Sequence, residues 1–195
     1  KTMNKVTTIS ALCSALLFSG ATLATSIKIT DVSGVWIDTT PDYPSVNGVG
    51  TDTIKWGNPT MYQWVQDPHT GYWSKEYLQS GYSFQSYTPP SIPVEEGENF
   101  NLGEFIHFNY PITGTTLETA ALKVTTTVDF EGVSRTLDSI FRFDHWETIN
   151  DPGYYTRCAN GQWNGWGVNK NGCADRVTFS LNEGSSTTYT IGNQE

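Results

Sequence analysis

The sequence has few histidines and few basic residues. Of 195 residues, 3 are histidine and 11 are lysine or arginine, against 20 acids. The net charge of −9 excludes the basic footprint of a nucleic-acid-binding domain. Cysteine is also scarce, at 3 residues, which excludes a disulfide-dense mini-protein and a four-thiolate zinc site. There is no G-x-S-x-G nucleophile elbow, no phosphate-cradling glycine loop and no H-E-x-x-H pair. No stretch of useful length carries the 3.6-residue apolar period of an amphipathic helix. The apolar run at Ile9 to Phe18 is too short to span a bilayer.

That run has another reading. Lys1 and Lys5 precede "ISALCSALLF", and small residues follow in "SGATLATS". This is the pattern of a secretory signal peptide, with cleavage after Ala21 or Ala24. The expected organisation is a leader at 1–24 and a single domain at 25–195, secreted and extracellular. Losing the leader removes two lysines and no acid, so the mature chain is more acidic still. It also removes Cys13, which sits inside the apolar run without the leucine of a lipoprotein signal three positions earlier. Cys158 and Cys173 remain and are expected to form a disulfide.

The rest of the chain is rich in Thr, Val, Ile, Tyr, Trp and Phe, punctuated by Gly, Pro, Asn and Asp. That is all-β composition. "TAALKVTTTVDF" (119–130) alternates Leu122, Val124, Thr126 and Val128 against Ala121, Lys123, Thr125 and Thr127. "MYQWVQ" and "YWSKEY" flank the turn cluster "DPHTG", which predicts a hairpin. "TDTIKWG" and "SGYSFQSY" read as separate strands, and "SRTLDSIFRFDHWET" as another, its start at Arg135–Asp138 open between strand and loop. "DRVTFSL" and "TTYTI" form the expected closing pair. The number and spacing of strands predict one antiparallel β-sandwich of jelly-roll type.

Two of the histidines lie in apolar strands, in "FIHFNYPI" and "FRFDHWETIN". Residues two apart on a strand share a face, so His107 goes with Asn109 and His145 with Glu147. If those strands pair, His107, His145 and Glu147 form a two-histidine, one-carboxylate metal set. The alternative is a buried polar network, the commoner fate of such residues. His69, in the turn, is expected in solvent. The acids Glu76, Glu104, Asp129, Asp144 and Glu147 form no glycosidase signature and read as surface charge. Cofactors are expected to be absent, except that "EEGEN" (95–99) with Asp129 or Asp175 makes a candidate oxygen-ligand set for structural calcium.

The aromatics are in excess, with 7 tryptophans in one small domain. "GQWNGWGVNKNG" puts Trp163 and Trp166 inside the cysteine loop, where flat rings suit stacking on a sugar or a protein. Trp64, Tyr72 and Trp73 flank the predicted hairpin turn.

"DVSGVW", "IKWG", "SGYSF", "FNLGEFIHFNYPI", "HWETIN" and "NGCADRVTF" occur in an order that resembles the choice-of-anchor K domains and related THxN proteins of secreted bacterial proteins. The likeness covers roughly Val32 to Ile191. It implies an exported β-sandwich and supplies no catalytic residue. Ile106 stands where the signature has threonine, and "YTIGNQE" carries no apolar anchor or basic tail, so free secretion without a membrane anchor is expected. The leading expectation is a non-catalytic carbohydrate-binding or matrix module using Trp163 and Trp166, its partner an extracellular polysaccharide. The alternatives are a self-assembling subunit of an extracellular structure, or a metal-dependent or hydrolytic enzyme using His107, His145 and Glu147.

Overall fold

A strand with one apolar parity must bury that face. In β9 (Thr119–Phe130), Leu122, Val124, Thr126, Val128 and Phe130 are buried, while Lys123, Thr125, Thr127 and Asp129 are half-exposed. The computed structural model describes residues 5–11, 27–87, 92–94, 100–150, 157–170 and 172–181. They form two antiparallel sheets packed face to face around one core, the expected β-sandwich. One sheet has the order β11 (Arg176–Leu181), β10 (Val133–Trp146), β9, β2 (Ile27–Thr40), β6 (Ile92–Val94). The other runs β1 (Lys5–Ala11), β7 (Phe100–Phe108), β5 (Trp73–Ser86), β4 (Thr53–Gln66), β3 (Val46–Asn47), with β8 (Ile112–Thr113) on β4. The backbone of β1, inside the expected leader, pairs with β7 from Lys5 opposite His107 to Ala11 opposite Phe100. Cys13, the acids at 95–99 and the strand expected at 187–191 lie outside the described residues.

One segmentation differs from the sequence reading, and one left open is resolved. "TDTIKWG" and "MYQWVQ" are one strand, β4, because a register shift between Trp56 and Met61 absorbs the residues between them. Proline there has no amide to give the ladder, and bulges are where sheets tolerate it. Asn58 and Pro59 pair instead with β8. Arg135–Asp138, open between strand and loop in the sequence, is strand, each residue opposite one of β9.

The core is aromatic. Trp36 from one sheet lies 5.4 Å from Tyr82 of the other and 5.3 Å from Phe143, between ring centroids. Phe105 and Phe143 stack across the sheets at 4.9 Å. Phe84 occupies a slot between Gly34 on β2 and Gly103 on β7, and a Cβ at either position would overlap its ring. Gly34→Ala should therefore lower stability by about 1–3 kcal/mol, the usual cost of overpacking a tight core. Chemical denaturation would read this directly, and an unchanged midpoint would show that the slot is not tight.

Candidate functional site

His107 and His145 face inward because each shares parity with a core aromatic two residues earlier, Phe105 and Phe143. Their strands, β7 and β10, belong to different sheets. The imidazoles thus meet across the sandwich interior, 5.4 Å apart and edge to face, rather than as neighbours on paired strands.

Tyr82 holds the two sides together. It stands opposite His107 in the β5–β7 ladder, and its hydroxyl lies 2.6 Å from His145 Nδ1. Burial, reinforced by the charges of Asp175 and Glu147, pushes its phenol well above the ordinary value of 10.0. The phenol is therefore protonated at neutral pH. The other ring nitrogen of His145, Nε2, lies 3.2 Å from Glu147 Oε2. The same oxygen accepts the Trp56 indole N–H at 3.4 Å.

A second histidine–carboxylate pair lies beside the first. His107 Nε2 is 3.7 Å from Asp175 Oδ2, and its ring stacks on Trp56. The backbone N–H of Thr148 donates to Asp175 Oδ1 at 2.8 Å, and the Thr148 hydroxyl donates to the Ala174 carbonyl. Asn109, expected to act with His107, donates instead to the Cys173 carbonyl at 2.7 Å and so anchors the cysteine loop. Sequence reasoning missed two members. Tyr82 carried no signal beyond its strand. Asp175 was visible only as one acid of a calcium candidate.

Ligand atoms of His107, His145 and Asp175 all lie within 4.8 Å of one another. Glu147, named with the histidines from sequence, is bonded to His145 but stands outside this group of three.

The cysteine loop is closed by a Cys158–Cys173 disulfide with a Cα–Cα distance of 5.1 Å. Asn169 is buried at its centre, exchanging side-chain hydrogen bonds with Asn160 and donating to the Trp163 carbonyl. Trp166 is 73% exposed; Trp163 is 41% exposed, with the Arg157 guanidinium 4.5 Å over its ring. The disulfide fits an oxidising compartment. Among the described residues no helix is long and apolar enough to cross a membrane.

The larger exposed aromatic surface is the far half of the β4–β5 hairpin, where every residue from Tyr62 to Tyr77 is exposed. Cross-strand register puts Tyr62 opposite Tyr77, Trp64 opposite Lys75 and Gln66 opposite Trp73, all on one face. Its four aromatic side chains are between 46% and 61% exposed. The Lys75 ammonium sits 4.1 Å over Tyr62 and 5.5 Å over Trp64. At the tip, Asp67 accepts the backbone N–H groups of His69 and Thr70, which hold its carboxyl below the ordinary range. His69 is exposed, as expected.

A scan against protein-family models finds no match, and neither does a search of curated proteins.

Tyr82 gives the site a pH signature. The unfolded chain releases the phenolic proton near 10.0, whereas the fold retains it to higher pH. Stability is thus fully present below pH 10 and falls as pH rises through that value, by up to about 1.4 kcal/mol per pH unit. Tyr82→Phe should remove this part of the alkaline loss. Near neutrality the same change should cost about 1–3 kcal/mol, since His145 Nδ1 would be left buried without its hydrogen-bond partner. Urea melts between pH 7 and 11 measure both, and identical alkaline slopes for the two proteins would contradict the assignment.

Proposed function

We propose that this chain is a secreted, non-catalytic binding module that takes carbohydrate against exposed aromatic rings. The observation that carries the reading is the aromatic face of the β4–β5 hairpin. Tyr62, Trp64, Trp73 and Tyr77 line one side of a ribbon whose residues from Tyr62 to Tyr77 are all exposed. Rings left in water are amphipathic platforms, apolar on the face and, for Tyr and Trp, polar at the edge. A pyranose offers the matching chemistry, a C–H face bordered by hydroxyls. Gln66 and Lys75 lie on the same side of the ribbon, where they can meet those hydroxyls. The tight Asp67–Gly71 turn leaves little backbone freedom to be lost on binding. Trp166, held out by the disulfide loop, is the second platform. The resemblance to exported β-sandwich domains and the disulfide both favour an extracellular setting.

The test is retention of the exported protein on a panel of insoluble polysaccharides and a glycan array. Trp64→Ala with Trp73→Ala should lower retention at least tenfold. Trp163→Ala with Trp166→Ala should weaken it if the loop shares the ligand. Melting should stay close to wild type for the ribbon pair, because exposed substitutions typically change stability by about 0.5 kcal/mol or less. Wild-type protein that binds nothing on either panel, or full retention by both double variants, would sink the proposal.

A further inference from the structure

The paired histidines and carboxylates pose a charge problem that the binding function does not use. Glu147 and Asp175 have side chains only 9% and 0% exposed, and their ion-pair partners are His145 and His107. Two carboxylates in so dry a place need positive charge close by. A bound cation would supply it. Glu147 Oε1 is, moreover, a buried oxygen with no hydrogen-bond partner among the described residues.

We infer that His107, His145 and Asp175 form a binding site for a divalent transition-metal ion of zinc-like preference, with Glu147 supplying the second balancing charge. Two imidazoles and a carboxylate are the donor set that borderline cations of this kind select over calcium or magnesium. In a tetrahedral zinc site, neighbouring donor atoms stand about 3.3 Å apart. His107 Nε2 and Asp175 Oδ2 are already 3.7 Å apart, and the whole set lies within 4.8 Å, so side-chain movements of an ångström or so would close it. The supporting contacts are those that orient metal ligands elsewhere. Asp175 is fixed through its other oxygen by the Thr148 N–H, and His107 is stacked on Trp56. His145 binds the ion through Nε2 as the tautomer that carries its hydrogen on Nδ1, facing the Tyr82 oxygen 2.6 Å away, and Glu147 gives up its hydrogen bond with Nε2. The net charge of ion, two carboxylates and two neutral imidazoles is zero. Since the histidines come from opposite sheets, the ion bridges the two layers of the sandwich.

The experiment uses Co²⁺ as a spectroscopic probe on the full exported chain, stripped with chelator and dialysed at pH 7.5. One equivalent should produce the visible ligand-field bands of a low-symmetry nitrogen and oxygen site, saturating at one per chain, and Zn²⁺ should displace it. Zn²⁺ at one hundred times its dissociation constant should raise the denaturation midpoint in proportion to an added stability of about 2.7 kcal/mol. Asp175→Asn and His107→Gln should each lower affinity at least tenfold. His69→Gln, on the exposed turn, should leave it unchanged. Should either interior variant fail to fold, as judged by loss of a cooperative melt, Glu147→Gln and Tyr82→Phe serve in its place, with weakened binding expected for both. The inference is overturned if folded wild-type protein gives no Co²⁺ band at one equivalent. It is equally overturned if the band survives in folded Asp175→Asn or disappears with His69→Gln.

Discussion

A single buried phenol joins the two sheets at the level of the histidines. The Tyr82 hydroxyl lies where neither water nor its own strand satisfies it, and the partner it reaches, His145 Nδ1, belongs to the opposite layer. A buried hydroxyl without a partner is costly, so this bond constrains how the layers slide over one another. The ring carrying it touches Trp36, Trp56, Phe105 and Phe143, so the polar constraint and the aromatic core act through the same side chain. Hydrophobic burial alone is non-directional. The hydroxyl adds direction where the core gives way to His145 and Glu147.

From there the constraint spreads to loops. His145 is followed by Glu147 and Thr148, and Thr148 holds Asp175 and Ala174 at the end of the cysteine loop. Asn109, just beyond β7, holds the Cys173 carbonyl, and Asn150 holds the Cys173 amide. The disulfide therefore does more than close a chain segment. It ties a glycine-rich, aromatic surface loop to the buried polar cluster, and the exposure of Trp166 follows from how that cluster fixes the loop's base.

Much of this was readable from residue patterns, and the failures have physical causes. The period-two alternation of β9 appears in the burial from Leu122 to Phe130, where both sheet partners of that strand are present; Ala121, on the other parity, is buried as well. The Asp-Pro-His-Thr-Gly turn was legible because its side chains encode local hydrogen bonds. The merging of two segments into β4 was not, since a bulge looks like a turn until the neighbouring strand is known. Parity grouped His107 with Asn109 and His145 with Glu147 on shared faces. It could not say that they meet across layers, because strand order is a long-range property that local spacing does not contain. Asp175 escaped for the same reason: it adjoins a disulfide loop whose fold, pinned by Asn169, sets where that carboxylate arrives. Likewise, a count of tryptophans cannot separate Trp36 and Trp56, fully buried, from Trp64 and Trp73, which lie in water.

The β4–β5 hairpin divides into two parts with different obligations. Up to Trp56 on one strand and from Ser80 on the other, its residues are bound by the core and can change only at a cost in folding. Beyond them the ribbon answers to its turn, its own ladder and whatever it meets outside. Substitutions of the exposed rings along Tyr62 to Tyr77 are thus nearly free of the thermodynamic penalty that guards the core, while Asp67 and Gly71 stay bound to the turn. Recognition in this molecule can drift, or be re-engineered, while the stability of the sandwich stays where it is.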